Sequence, residues 1–248
     1  MLNIVVPMAG RGSRFAQAGY AFPKPLIDVR GKTMIEVVIG NLRPKTDHRF
    51  IFICQREHYE KFDLHNVLTT ATAGKCEVIL IDGITEGAAC TVLLASRFIN
   101  NDDELLLANS DQYIGSDINT FIKKARVGKH DGLIMTFEAS HPKWSYARAD
   151  KSGRVSEVAE KKVISNHATV GVYYFKYGKD FVSSAEHMIR KNIRYNNEFY
   201  VCPVYNEVIL GGGVVAIHKI KNEQMHGLGT PEDLTEFLRK LEKRKVKL

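Results

Sequence analysis

Short apolar runs alternate with amphipathic stretches along the first 140 residues of the chain. The runs are rich in Val, Ile, Leu and Phe, which favour buried strands, and the stretches between them repeat apolar residues at helical spacing. Strands that alternate with helices predict a mostly parallel sheet with helices on both faces. The predicted strands are residues 2–8, 49–55, 77–82, 104–108 and 132–138, and the predicted helices are residues 33–42, 86–98 and 117–127.

The pattern changes after His141. Residues 146–161 alternate between apolar and polar positions and contain a Lys-Ser-Gly turn, which predicts a β-hairpin. We therefore expect one domain of residues 1–248, with a Rossmann-like mixed, mostly parallel sheet, helices on both faces and a small β-hairpin extension. The other predicted elements are a strand at 168–175, helices at 181–193 and 199–210, and a last helix at 230–245 with Thr230 as its N-cap and Pro231 in its first turn.

Composition narrows the class of protein. Hydrophobic residues make up 44% of the chain and charged residues 25%, which is ordinary for a soluble globular protein. No apolar stretch approaches the roughly 20 residues that a membrane span needs, and the start of the chain lacks the pattern of a secretory signal. The four cysteines show no paired spacing, which argues against a zinc site or a disulfide framework and favours a reducing cytoplasm.

The net charge of +7 lies mostly at the end of the chain, where the last ten residues hold six Lys and Arg and one Glu. The remainder is nearly neutral, so we expect no nucleic-acid partner. Two interpretations of the basic end stay open. It is either a solvated helix end that suits the helix dipole, or a contact surface for an acidic partner or a membrane surface.

The residues behind the first strand, MAGRGSRF and then FPKPL, carry the most specific chemical signal. Gly10 and Gly12 allow a sharp turn that brings backbone N–H groups together, and such a row of donors holds anions. Arg14 and Lys24 add positive charge. A plain turn accounts for the glycines alone, but not for Ser13, the two cations and the flanking prolines together. The spacing fits neither the P-loop nor the dinucleotide fingerprint, so we predict a different polyanion site.

The segment MAGRGSRF followed by PKPL resembles the signature of the nucleotidylyltransferases that activate sugar phosphates, and the resemblance continues along nearly the entire chain. It implies that residues 1–140 form a nucleotide-binding half and residues 141–248 an acceptor-binding half. Arg14 and Lys24 would neutralise the phosphates of a nucleoside triphosphate. The resemblance also assigns five other residues of this loop to nucleotide binding: Met8, Ala9, Gly10, Gly12 and Ser13.

Asp111 follows a buried strand, at the edge where open α/β sheets bind ligands. It matches the family's Mg²⁺-binding aspartate, and Mg²⁺ prefers oxygen ligands; a turn or helix-cap role is the alternative, although Asp117 is the better cap. The resemblance also places Gly87 and Ala88 under the base and ribose. Asp82 lies near the family's base-reading position, where a carboxylate could accept the N4 amino group of cytosine. That favours CTP, but Asp-Gly is equally a plain turn.

The acceptor side is assigned by resemblance as well. Glu160 and Lys161 match a Glu-Lys-Pro motif that binds the acceptor's hydroxyls and phosphate, although Lys162 replaces the proline. An exposed charged strand is the alternative. The expected catalytic residues are therefore Lys161 and the three named above, Arg14, Lys24 and Asp111. Further expected acceptor contacts are Gly171, Tyr146, Arg148, Glu198 and Tyr200, of which the last two could instead form a dimer contact.

One position departs from the family. The late segment HGLGTPEDL has Gly227 where relatives carry an aspartate, so a second carboxylate ligand for the metal is missing. Either Asp111 and the phosphates suffice, or the metal stoichiometry differs. We interpret Glu232 and Asp233 as first-turn helix residues, not as replacements.

The resemblance implies transfer of a nucleoside monophosphate from an NTP, with CTP favoured, to a phosphorylated small molecule, with release of pyrophosphate. Phosphoglutamine or a sugar 1-phosphate would be the acceptor, Mg²⁺ the cofactor, and capsule or surface-polysaccharide precursor synthesis in the cytoplasm the setting, with a homodimer as one option. Two alternatives remain. A GT-A-like glycosyltransferase would normally carry Asp-x-Asp, whereas Ser110-Asp111-Gln112 has one aspartate. A catalytically silent nucleotide-binding relative would have no need for four retained charged residues.

Overall fold

A computed structural model describes residues 1–243 and 245–246, and a nine-stranded sheet runs through its centre. A separate antiparallel pair joins β5 (Gln112–Ile114) to β11 (Met225–Gly227). In order across the large sheet, the strands are β10 (Val215–Lys219), β6 (Gly132–Glu138), β9 (His167–Phe175), β4 (Glu104–Ala108), β1 (Leu2–Pro7), β2 (His48–Gln55) and β3 (Cys76–Ile81), and the hairpin β7 (Tyr146–Ala149) and β8 (Val155–Ala159) extends from β9.

The sheet is mixed and mostly parallel. Strand β1 runs parallel to both β2 and β4, β2 runs parallel to β3, and β10 runs parallel to β6. Strand β9 lies between β4 and β6 and is antiparallel to both. Parallel neighbours need long crossovers, and the helices supply most of them. The predicted Rossmann-like fold, including the β-hairpin extension, is confirmed.

Ten α-helices are described, and apolar side chains fill the space between them and the sheet. Along β1, Leu2, Ile4 and Val6 join the apolar cluster on one face of the sheet, whereas Val5 joins the cluster on the other. This alternation follows from the two-residue period of a strand. The helices are α1 (Ser13–Gln17), α2 (Met34–Leu42), α3 (Arg56–Lys61), α4 (Leu64–Thr72), α5 (Ala88–Leu93), α6 (Ser96–Ile99), α7 (Ile118–Val127), α8 (Gly178–Arg190), α9 (Val204–Leu210) and α10 (Pro231–Glu242).

Three side chains form helix N-caps, of which those of Asp117 and Thr230 were predicted. The Thr33 side chain accepts from the Glu36 backbone and forms a capping box before α2. The Asp117 side chain accepts from the Asn119 N–H at 2.9 Å, and Thr230 Oγ1 accepts from the Asp233 N–H at 3.1 Å. Helix α10 ends at Glu242, short of the predicted end at 245; Arg244, Lys247 and Leu248, part of the basic end, lie outside the described residues.

The largest errors in predicted helix extent lie at residues 86–98 and 199–210. The helix expected at 86–98 is divided into α5 and α6, and its first residues are extended because Gly87 has φ +131°. The helix expected at 199–210 begins only at Val204, because the Phe199 backbone bonds to another segment and Pro203 forms the N-cap. Helices α1, α3 and α4 and strands β5, β10 and β11 were not predicted. No described helix has the combined length and apolar character that a bilayer crossing requires.

Candidate active site

The first loop and the end of β4 meet at one ion pair. Lys24 Nζ donates to Asp111 Oδ2 at 2.9 Å, and the two side chains are 23% and 27% exposed. Lys24 begins a short 3₁₀ turn after Pro23, and Asp111 lies just beyond the carboxyl end of β4. The fold thus joins two residues that are 87 positions apart at the ligand-binding edge of the sheet.

The loop of residues 8–14 folds against this pair. Gly12 has φ +61°, a left-handed conformation that favours glycine, and a Cβ built there would lie 3.4 Å from Lys24 Cβ. Gln55 Nε2 donates to the Ala9 carbonyl at 2.6 Å and also to the Gly83 carbonyl. Gln55, which the sequence analysis missed, therefore ties the loop to the turn at 82–83. The sequence feature that could have indicated Gln55 is its position at the carboxyl end of β2.

Arg14 lies in α1 with an exposed side chain. Hydrogen bonds from the backbone and Thr230 lower the pKa of Glu232, and the nearby Arg14 charge lowers it further. The loop therefore presents an accessible cation near the segment that leads into α10. Such a cation is available to a phosphate.

Asp82 has a partner of its own. Its exposed carboxylate accepts from Arg56 Nε at 3.0 Å. A base that bonded to this carboxylate would share it with the guanidinium, so the base-reading role expected for Asp82 stays a prediction.

Gly87 and Ala88 begin a segment that is bonded to the backbone of Phe199, in the predicted acceptor half. The Phe199 N–H donates to the Glu86 carbonyl at 2.7 Å, and the Ala89 N–H donates to the Phe199 carbonyl at 2.9 Å. A Cβ on Gly87 would lie 2.5 Å from the Phe199 backbone, so only glycine permits this approach. Residues 86–89 and 198–200 consequently form one unit.

Glu160, Lys161, Glu198 and Tyr200 come together beside that unit. Lys161 has left-handed backbone (φ +48°), and its Nζ donates to the Tyr200 hydroxyl at 2.8 Å. The ammonium also lies over the rings of Tyr195 and Tyr200, at 5.4 and 4.7 Å from their centroids. The cluster combines one cation with two carboxylates and two phenols.

Burial raises the pKa of Glu160. Its hydrogen bond from Ser145 Oγ and the Lys161 charge oppose this shift, and the Glu198 charge adds to it. Burial also raises the pKa of Tyr200, and Glu198 raises it further. The cluster therefore contains a carboxyl group held partly out of water, with Ser145 as a positioning hydroxyl that the sequence analysis missed and that no motif signals.

The side chains of two expected acceptor contacts bond to other residues of the chain. Tyr146 is completely buried and its hydroxyl donates to the His141 carbonyl at 2.8 Å, so the prediction that it faces a cavity is wrong. Arg148 is paired with Glu157 at 2.5 Å on the exposed hairpin. The acceptor contact expected for Arg148 stays a prediction.

Gly227 lies close to Asp111, as the resemblance implied. It pairs with Gln112 in the β5–β11 ladder, and the Leu228 N–H donates to the Asp111 carbonyl at 2.8 Å. A Cβ on Gly229 would lie only 2.8 Å from Asp111 Oδ2, so the backbone leaves a cradle around that oxygen. A Cβ built on Gly227 would lie 3.4 Å from Asp233 Oδ2. The Asp233 side chain is therefore the nearest neighbour of any side chain at position 227.

These residues fit a magnesium ion with one protein carboxylate. Asp111 supplies a hard oxygen beside Gly229, and Mg²⁺ usually completes its shell with phosphates and water. No group of three or more His, Cys, Asp or Glu residues converges on a metal position among residues 1–243 and 245–246.

The family model for nucleotidyl transferases matches residues 4–205, and the chain belongs to this nucleotidyl transferase family. The bifunctional protein GlmU of Methanocaldococcus jannaschii is 23% identical over 177 residues, which are 70% of this chain and 40% of GlmU. The chain thus spans well under half the length of that relative.

Solved structures share the fold over nearly the whole chain. A nucleoside-diphosphate-sugar pyrophosphorylase from Vibrio cholerae RC9 is 26% identical with a TM-score of 0.81, covering 95% of this chain and 99% of that one. The inositol-1-phosphate CTP transferase from T. maritima is 15% identical with a TM-score of 0.74, covering 99% and 97%.

Proposed function

We propose that this protein transfers a nucleoside monophosphate from an NTP, with CTP favoured, to the phosphate of a small-molecule acceptor and releases pyrophosphate. The acceptor is phosphoglutamine or a sugar 1-phosphate. The observation that carries the proposal is the Lys24–Asp111 contact, because it joins the loop of residues 8–14 to the carboxylate at the end of β4. Family membership supports the reaction class.

The chemistry needs no protein base. An acceptor phosphate has a second pKa near ~6 and is largely dianionic at neutral pH. One of its oxygens attacks the α-phosphorus in line, the new O–Pα bond forms, and the bond to the β-phosphate oxygen breaks. Lys24 and Arg14 stabilise charge on the triphosphate, while Lys161 holds the acceptor phosphate in position.

Asp111 is the residue that would hold Mg²⁺, together with the phosphates. When bound, the ion supplies positive charge that reduces repulsion between the two polyanions. Lys24, which contacts Asp111 in the structure, would then turn to the triphosphate.

The preference for CTP rests on Asp82. A carboxylate accepts the N4 amino group of cytosine, whereas the carbonyl oxygens of uracil and thymine would be repelled. Arg56 Nε donates to this exposed carboxylate at 3.0 Å, so the base would share it with the guanidinium. A cytoplasmic setting in capsule or surface-polysaccharide precursor synthesis, and a homodimer, belong to the same proposal.

Pyrophosphate release from a panel of substrates tests the proposal. Each of the four NTPs is mixed with phosphoglutamine or glucose 1-phosphate in the presence of Mg²⁺. We expect release with CTP and one of the acceptors, and much less with the other NTPs. NTP binding without pyrophosphate release from any pair would indicate a silent relative, and sugar transfer from a nucleotide-sugar would indicate a glycosyltransferase. Either result would overturn the proposal.

A further inference from the structure

Gln55 is the last residue of β2, the strand that lies between β1 and β3 in the sheet. Its register partner in β3 is Ile81, which is also the last residue of its strand. The three strands are parallel, so the segments that follow β1 and β3 leave the sheet at the same edge as Gln55. These segments are the loop of residues 8–14 and the turn of residues 82–83.

One amide group joins this loop to this turn. Gln55 Nε2 carries two N–H groups, and it donates to the Ala9 carbonyl at 2.6 Å and also to the Gly83 carbonyl. Neither carbonyl accepts a main-chain hydrogen bond from any residue that the structure describes. The Gln55 side chain therefore takes over, beyond the strand ends, the connection that ladder hydrogen bonds provide within the sheet.

The place of Gln55 in the chain indicates that its side chain is used for this connection at the expense of a local one. Gln55 is the N-cap of α3, but its side chain makes no capping hydrogen bond. Ser, Thr, Asp and Asn are favoured at N-caps, because their short side chains bond to the first turn of the helix. A position that gives up a local preference for contacts with distant segments is typical of a functional site.

The next residue contacts the same turn. Arg56 Nε donates to Asp82 Oδ1 at 3.0 Å, and both side chains of this pair are exposed. An exposed ion pair is screened by water and salt and is weak by itself. Arg56 thus contacts the side chain of the turn, whereas Gln55 connects the backbone of the turn to the loop.

We propose that Gln55 is a positioning residue for the nucleotide, because its amide sets the spacing between the loop of residues 8–14 and the turn of residues 82–83. This inference rests on the proposed function, in which the loop holds the triphosphate and the turn carries the base-reading carboxylate. A nucleotide that bridges the two segments binds well only when their spacing matches its own length. Placement of the triphosphate and selection of the base then depend on each other.

The test separates nucleotide positioning from acceptor binding. Gln55→Leu keeps the approximate volume and removes both donors, and Gln55→Glu keeps the shape and places a carboxylate against two carbonyl oxygens. For the NTP that the wild type prefers, both variants should raise the KM, and the Kd from calorimetry, at least about tenfold. The ratio of kcat/KM between this NTP and the next best one should fall at least about threefold. The acceptor KM should stay within about twofold.

Gln224→Leu is the matched control. Gln224 Nε2 also donates to a glycine carbonyl, that of Gly115, at 2.9 Å, so the same kind of bond is lost outside the loop and the turn. The NTP affinity, the NTP ratio and the acceptor KM of this variant should match those of the wild type. Thermal unfolding checks that each variant is folded, and Gln55→Glu serves if Gln55→Leu is not.

Folded Gln55 variants with unchanged NTP affinity and an unchanged NTP ratio overturn the inference while the proposed function stands. Equal increases in the NTP and acceptor KM values overturn it as well, because they would show that Gln55 supports the fold in general. A wild-type protein that binds an NTP but releases no pyrophosphate with any acceptor overturns the proposed function, and the calorimetric Kd values then decide the inference by themselves. A wild type that binds no NTP overturns both.

Discussion

At the residue scale, the Lys24–Asp111 pair places two opposite charges together at the proposed ligand site. Both side chains are about one quarter exposed, so water and salt screen their attraction. A pair of this kind contributes little to stability and is readily exchanged for a phosphate. Its importance therefore lies in position, because it fixes a cation beside the edge where the sheet binds ligands.

Replacing Lys24 should affect turnover and leave the fold intact. We expect Lys24→Ala to lower kcat at least ~100-fold, which is typical for loss of one preorganised charge donor. Lys219→Ala is a suitable control, because it also removes the lysine of a 3.0 Å ion pair, on the far edge strand β10. Its kcat should match that of the wild type. Pyrophosphate release and thermal unfolding measure both effects, and a Lys24→Ala enzyme with ordinary turnover would exclude Lys24 from the mechanism.

The raised pKa of Glu160 predicts a pH-dependent gain in stability for Glu160→Gln. Burial disfavours the ionised form in the folded protein, so the wild type is penalised above the raised pKa and not below the unfolded value. The glutamine oxygen still accepts from Ser145 Oγ. The variant should therefore unfold at a higher temperature than the wild type at pH 8, and this difference should vanish near pH ~4.

Glu157→Gln provides the comparison for that experiment. Glu157 lies in the same hairpin but is exposed and paired with Arg148, so this variant should be no more stable than the wild type at any pH. Thermal unfolding of all three proteins across the pH range gives the answer. A Glu160→Gln protein that gains nothing as the pH rises would contradict burial as the cause of the shift.

The site residues that could be identified from the sequence lie in short local patterns. Those that were missed act through contacts with residues far away in the chain. Lys24 lies in a contiguous motif, and Asp111 follows an apolar strand, so both can be recognised without the fold. Gln55 and Ser145 act through contacts with Ala9, Gly83 and Glu160, which are 15 to 46 positions away. No nearby pattern reports such distant contacts.

At the scale of elements, the junction of α5 with residues 198–200 explains the largest error in the sequence analysis. Helical spacing continues through residues 86–98, but Gly87 adopts φ +131° to let the chain approach Phe199. Arg194 reinforces the junction through a 3.0 Å ion pair with Glu86 and by stacking over the Phe199 ring. Tertiary hydrogen bonds here override local helix propensity.

Gly87→Ala tests how much that junction contributes. The added Cβ would lie 2.5 Å from Phe199 backbone atoms, and φ +131° is a conformation that alanine rarely adopts. We expect the free energy of unfolding to fall by about 3 kcal/mol or more. Gly83→Ala is the control, since Gly83 also has positive φ but no atom within 4 Å of the new Cβ, and we expect a loss of only about 1 kcal/mol. Similar losses in urea unfolding would show that the close approach is unimportant.

At the scale of the whole molecule, the two proposed halves of the chain share one sheet. Strand β9 belongs to the proposed acceptor half of residues 141–248, yet it lies between β4 and β6 of the proposed nucleotide half. The sequence predicted these strands individually, because each has its own apolar run. It did not predict their order, because strand order depends on pairings between distant segments.

This interleaving predicts that residues 1–140 alone do not fold. Without β9, strands β4 and β6 lose the neighbour that pairs with both, and backbone N–H and C=O groups in the middle of the sheet are left unpaired. The buried rings of Tyr173, Tyr174 and Phe175 are lost from the core as well. We expect the fragment to show no cooperative urea transition by far-UV circular dichroism.

The full chain should behave in the opposite way. Its single tryptophan, Trp144, packs against Phe137 where the two halves meet along the chain, with ring centroids 5.2 Å apart. If the halves form one cooperative unit, tryptophan fluorescence and circular dichroism should give the same urea midpoint. Separate midpoints, or a cooperative transition in the 1–140 fragment, would mean that the nucleotide half is an independent domain. The chemistry would then depend on how two domains come together, whereas a shared β9 places Asp111 and Glu160 just beyond strands of one sheet.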